Sequence, residues 1–131
     1  LYPLLSSIAP SETEAQLLTG IAVKDESSAT AAAANLRDRG VDTVLITLGA
    51  AGCFLSTGEF SKIVPGYVVD VVDTTAAGDV FNGNLAAALC RDLQLEDAVV
   101  YAQAAAALSV QCLGAQPSAP TRSAIDAFLA N

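Results

Sequence analysis

Short apolar runs punctuated by Gly and Pro, interleaved with two helical stretches, occupy the chain up to Val72. From Ala76 onward the apolar spacing is helical. Leu4 to Ala9 reads as a short buried strand that Pro10 closes. Ser11 then opens a helix to about Thr19, with Gly20 as its stop. An alanine-rich helix is expected from Ser27 or Ser28 to Arg39, ended by Gly40. Val44 to Leu48 is a continuous run rich in β-branched residues, the pattern of a strand covered on both faces. Gly49 to Gly52 makes a turn, Cys53 to Ser56 resumes as a strand, and Thr57-Gly58-Glu59 turns the chain again. Ile63-Val64 and Tyr67 to Val72 give further strands around Pro65-Gly66.

Three helices follow: Ala76 to about Arg91, Leu95 or Glu96 to about Leu113, and about Arg122 to Ala130 after breaks at Pro117 and Pro120. Leu95, Ala98, Val99, Ala102, Ala105 and Ala106 share one face of the second. The block Ala104 to Ala107 suggests close helix packing through small side chains. No internal repeat or disordered tail interrupts this order. The mixture predicts one layered α/β domain with a partly parallel sheet.

Composition narrows the partners. The 131 residues, 53% of them hydrophobic, suffice for a real core. Six basic against fourteen acidic side chains give a net charge of −8, which argues against nucleic acid or an anionic membrane as the main partner. No apolar run approaches the roughly 18 residues of a membrane span, and no signal peptide is visible. Cys53, Cys90 and Cys112 are odd in number, lack metal-ligand spacing and have no histidine to join. Thiols in a reducing cytoplasm are therefore expected, and zinc is not. The chain holds no methionine and opens on Leu1 inside an apolar segment, which is compatible with a cut-down chain.

The candidate chemistry lies in Asp73-Thr74-Thr75-Ala76-Ala77-Gly78-Asp79. A strand feeding a helix through small residues aims free backbone N–H groups at whatever sits above the helix start, and the helix dipole adds to that attraction. Gly78 leaves room for close approach by a phosphate. Asp79 stands beside it, where it could accept a proton from a hydroxyl. Lys24 and Lys62 lie in no phosphate motif, and G-x-x-x-x-G-K-[ST] is absent. Each feature also has a plain structural use. Asp79 would suit any helix's first turn, Asp73 could simply cap the helix, and Ser11 with Glu14 fits an S-x-x-E capping box.

The string Val72 to Gly83, VDTTAAGDVFNG, resembles the C-terminal signature of the ribokinase-like carbohydrate kinases. Ser11-Glu12-Thr13-Glu14 resembles the family's Asn-x-x-Glu segment, with Ser11 in place of the usual asparagine. Thr47-Leu48-Gly49-Ala50-Ala51-Gly52 resembles its nucleotide loop, and Gly114-Ala115-Gln116-Pro117-Ser118 a late cation-binding and nucleotide-binding loop. The resemblance covers nearly the whole chain. It implies a layered α/β/α, Rossmann-like fold, here its C-terminal nucleotide-binding half, with the sugar-binding half and lid preceding Leu1 in longer members.

The resemblance also implies roles. Asp79 is the catalytic base, and the amides of Ala76, Ala77 and Gly78 form the anion hole. Ser11, Thr47, Leu48, Gly49, Ala50, Ala51, Gly52, Gly78, Asp79 and Gln103 line ATP, with Gln103 where members often carry a histidine. Potassium (K+) is held by Asp73, by the carbonyls of Thr75, Ser109, Cys112 and Gly114, and by Ser118. Glu14 reaches magnesium (Mg2+) through water, which suits an ion that keeps part of its hydration shell. The implied reaction moves the ATP γ-phosphate to the 5-hydroxyl of D-ribose, a pentose sugar, in the cytoplasm. A fructokinase-like or nucleoside-kinase-like member is the alternative, as is a nucleotide-binding fragment inactive in isolation, or a non-enzymatic assembly domain. A sheet with uncovered edges would favour a homo-oligomer, or association with the missing N-terminal half.

Overall fold

Ser11 stands three residues before Glu14, and in the computed structural model this pair closes a capping box that starts helix α1 (Glu12–Thr19). Gly20, left-handed at φ 76°, ends it. Asp25 and Ser28 close a second box and start α2 (Glu26–Asp38) slightly ahead of the expected Ser27 or Ser28. Ala29, Ala32, Ala33 and Leu36 recur at helical spacing along α2, and all four are fully buried. The structure describes residues 2–114 and 119–131, which divide into two compact units, one up to Pro65 and the other from Gly66 onward.

The first unit holds a four-stranded sheet in the order β1 (Ser7–Ile8), β2 (Thr43–Thr47), β3 (Gly52–Ser56), β4 (Ser61–Pro65). β1 runs parallel to β2, and the other two pairings are antiparallel, so the sheet is partly parallel as expected. Val44, Ile46 and Phe54 join the α2 alanines in one core. Leu45 and Leu55, paired on the opposite face, are buried too. That double burial explains why β2 reads as a continuous apolar run and not as an alternation.

Two expected strands turn out differently. Leu4 to Ala9 gives only the two residues of β1, after a 3-10 turn at Tyr2–Leu4 that leaves Leu4 exposed. Pro3 explains it, because its fixed φ and missing N–H suit a turn and not a ladder. Tyr67 to Val72 joins no sheet among the described residues, and Val68, Val71 and Val72 are exposed. A strand exists only with a neighbouring ladder, and β-branched sequence cannot supply one.

The second unit is an α-helical hairpin of α3 (Ala77–Cys90) and α4 (Leu95–Ser109), with α5 (Arg122–Ala130) against α4. Phe81, Leu85 and Ala88 of α3 are buried. α4 is buried from Tyr101 to Ala105 without a break, more than the single face its spacing suggested. Small residues permit this, since they let neighbours approach from several sides. Arg91 lies over the Tyr101 ring at 4.7 Å, and Tyr67 meets Phe128 edge-on at 4.9 Å.

α4 stops at Ser109, short of the expected Leu113. A continuing helix would send the Gly114 N–H to the Val110 carbonyl. Instead that carbonyl accepts the amides of Val72 (2.7 Å) and Asp73 (3.0 Å), and the Gly114 N–H donates to Asp73.

Candidate active site

The turn from Asp73 to Asp79 is organised by one carboxylate. Asp73 Oδ1 accepts from the Thr75 amide (2.8 Å) and the Thr75 hydroxyl (2.6 Å), while Oδ2 accepts from the Gly114 amide (2.9 Å) across 41 residues of sequence. These donors, the Thr75 hydroxyl first, then the amides of Gly114 and Thr75, hold its carboxyl below the usual aspartate range. The structure thus brings Asp73, Thr75 and Gly114 together through the Thr75 hydroxyl and the Thr75 and Gly114 amides, whereas the implied cation set draws on the carbonyls of Thr75 and Gly114. Ser109 is buried and its hydroxyl donates to the Ala106 carbonyl, while its own carbonyl accepts from Cys112. Cys112 is exposed, and its amide makes that bond to Ser109. Ser118 lies outside the described residues.

The Ala77 amide donates to the Thr74 carbonyl at 3.2 Å, with Ala76 between them at φ 63° and ψ 11°. Those angles place Ala76 in the left-handed region, at a turn position where glycine is the usual occupant. A left-handed residue ahead of a right-handed helix fans successive N–H groups around a concavity suited to an anion. α3 begins with no side-chain cap. Val80 donates to Ala76, which leaves the Gly78 and Asp79 amides with no acceptor among the described residues. Gly78 faces open space, with nothing within 4 Å of where a Cβ would stand. Asp79 is exposed in the first turn of α3. The start of α3 is therefore open to solvent.

Gln103, by contrast, is 7% exposed within α4.

The nucleotide-loop residues and the Ser11–Glu14 pair lie in the first unit. Thr47 ends β2 and forms a parallel bridge with Ser11. Gly49–Ala51 makes a 3-10 turn and Gly52 starts β3, with Leu48 donating to the Gly52 carbonyl at 2.8 Å. Gly49 (φ 57°) and Gly52 (φ 113°) take conformations that side chains disfavour, so their positions in the motif have a backbone reason. Gly49, Ala50 and Ala51 are exposed, although the Ala51 amide donates to Leu48 and the Gly49 carbonyl accepts from Gly52. The Glu14 carboxylate accepts from the Ser11 amide at 2.8 Å, so its local use is the capping box. Among the described residues, no group of three or more His, Cys, Asp or Glu is placed to hold a metal ion.

One residue and one conformation escaped the sequence. Val110, between the implied ligands Ser109 and Cys112, ties the turn down through its carbonyl, a role no side chain advertises. Ala76 carries the left-handed angles, and an alanine gives no hint of them.

A family model described as pfkB family carbohydrate kinase matches residues 1–122. The chain is 49% identical to the ribokinase of Haemophilus influenzae over 129 residues, covering 98% of this chain and 42% of that protein. A deoxyribokinase of Salmonella typhi is 35% identical over 120 residues. Among solved structures, a Thermotoga maritima ribokinase superposes with a TM-score of 0.91 at 40% identity, over 99% of this chain and 44% of that one. An Arabidopsis thaliana ribokinase complexed with ribose and ATP gives 0.93 at 34% identity, over 98% and 42%. The chain thus spans less than half the length of these relatives, with the ribokinase-like α/β fold. It belongs to the pfkB family of carbohydrate kinases.

Proposed function

We propose that the protein carrying this chain transfers the γ-phosphate of ATP to the 5-hydroxyl of D-ribose, giving ribose 5-phosphate and ADP. The supporting observation is the open start of α3: uncapped amides at Gly78 and Asp79, a left-handed Ala76, and a carboxylate in the same helical turn. In such a transfer the protein chiefly positions groups and stabilises charge. The Asp79 carboxylate accepts the hydroxyl proton as the sugar oxygen bonds to the γ-phosphorus and the bond to the departing ADP breaks. The amides of Ala76 and Gly78 face the charge on the transferring phosphoryl group, where preorganised donors act most strongly. Ala77 contributes less, since Thr74 already engages its amide.

A monovalent cation would be held by Asp73 and the carbonyls of Thr75, Ser109, Cys112 and Gly114. The donor set fits: all ligands are oxygens, and three donated bonds leave Asp73 about one of the four lone-pair directions a carboxylate offers. Magnesium, when bound, neutralises phosphate charge. With Glu14 engaged at its cap, that ion would lean on phosphate oxygens and water. ATP as donor fits a cytoplasmic enzyme.

The deoxyribokinase relative favours 2-deoxyribose as the second reading. ADP release measured with ribose, 2-deoxyribose and fructose separates them, and ribose is expected to give the highest kcat/KM. ATP binding without release on any sugar would overturn the catalytic reading and leave a nucleotide-binding role.

A further inference from the structure

We infer that Asp73 is a positioning residue that holds Ala76 in its left-handed conformation, so the anion turn stands formed before any ligand arrives. Left-handed angles disfavour an L-residue by roughly five- to thirty-fold in population. Something must hold Ala76 there. Within the turn, the Ala77-to-Thr74 bond is long at 3.2 Å and no side chain caps α3. The Ala76 carbonyl accepts the Val80 amide at 2.9 Å as the first bond of α3, and the contacts that fix the chain ahead of Ala76 belong to Asp73. Its Oδ1 fixes Thr75, the residue preceding Ala76, through both amide and hydroxyl, and its Oδ2 anchors the turn to Gly114. Val110 fixes the other side of Asp73 by accepting its amide. The carboxylate thus joins Gly114, in the loop after α4, to the residue before the strained one. Backbone strain of this kind persists only where its surroundings over-determine it.

This role differs from binding a cation, because it operates without one. It concerns the turn proposed above for phosphate, and rests on that reading only where nucleotide affinity is measured. Two conformations of the turn follow. With Asp73 present the left-handed form dominates; without it the turn relaxes and the strain disappears. Glycine at position 76 accepts left-handed angles freely, so its effect should depend on Asp73.

The test is a double-mutant cycle on Asp73→Ala and Ala76→Gly. The first measurement is thermal unfolding without ligand. Ala76→Gly should raise Tm when Asp73 is present and should give little or no gain in the Asp73→Ala background. An equal gain in both backgrounds would overturn the inference, whatever the nucleotide does. The second measurement is Mg-ATP affinity by calorimetry. Asp73→Ala should weaken it, and adding Ala76→Gly should recover roughly three-fold or more, because a binding-competent form regains population. A site in which Asp73 serves only a cation would show no such rescue. No ATP binding by any variant would defeat the proposed function and leave the unfolding cycle to decide this role. If Asp73→Ala fails to fold, Asp73→Asn replaces it. The amide keeps an acceptor for Thr75 and loses the one facing Gly114, so the same non-additivity should appear at smaller size, and its absence counts against the inference.

Discussion

Gly78 and Gly83 offer a paired substitution that separates a phosphate cradle from an ordinary helix start. Both lie in α3, and neither has any atom within 4 Å of a built Cβ. Neither has a positive φ, so alanine fits both backbones without strain. Replacing a helical glycine by alanine gains about 1 kcal/mol. For a chain of this size that corresponds to a rise in Tm of about 3–5 °C. Each variant should show a gain in a circular-dichroism melt, smaller at Gly78 because it sits in the first turn. Their effects on ATP should diverge. A methyl at Gly78 occupies the space a phosphate would take above the free amides. Losing one hydrogen bond to a charged group, about 1.5–3 kcal/mol, weakens affinity about 10- to 100-fold. Gly83→Ala, in the second turn, should leave affinity within about two-fold, since surface changes away from a site rarely exceed about 0.5 kcal/mol. Gly78→Ala with a raised Tm and unaltered ATP affinity would refute the cradle.

Four further outcomes are expected. Burial pushes the Cys53 thiol up to about 12, while Cys90 and Cys112 are exposed, so a thiol reagent at neutral pH should label two cysteines quickly and the third only on unfolding. The same shift has a stability sign: above the unfolded thiol's value of 9.0 the unfolded chain releases a proton that the folded chain retains. Stability should then decline between about pH 9 and 12 in denaturant titrations. Asp25, through Ser28, and Asp73, through Thr75 and Gly114, have lowered folded values, so their contribution is present above about pH 3.8 and fades as pH falls through the folded values. An acid titration of Asp25→Ala should show a smaller loss over that window than the parent chain. Exposed Val68, Val71 and Val72, in a segment that joins no sheet among the described residues, should drive concentration-dependent association, and light scattering should show it reduced in Val71→Lys. A single monomeric species at all concentrations would contradict this.

Local chemistry was legible in the sequence wherever it is written in side chains. Ser11, Glu14 and Gly20 announced α1 because caps depend on particular groups at fixed offsets. β2 and β3 were legible from apolar runs, and α5 from the prolines before it. Apart from the strand that Pro3 shortens at its start, what failed depended on partners far away in sequence. Tyr67 to Val72 has strand composition but no ladder, and α4 lost its last turn because Val72 and Asp73 took the Val110 carbonyl. In the candidate site, Asp73, Gly78 and Asp79 could be named because the motif specifies them. Ala76 could be named too, but not its left-handed conformation, which is imposed by bonds between residues 73, 75 and 114.

The most direct measurement is steady-state ribose-dependent ADP release by Asp79→Asn in the protein carrying this chain, with Mg-ATP affinity determined on the same sample. Asparagine preserves size and removes the proton acceptor. The expected result is a fall in kcat of about 10²- to 10⁴-fold with ATP affinity little changed. Turnover equal to the parent protein's would contradict the account.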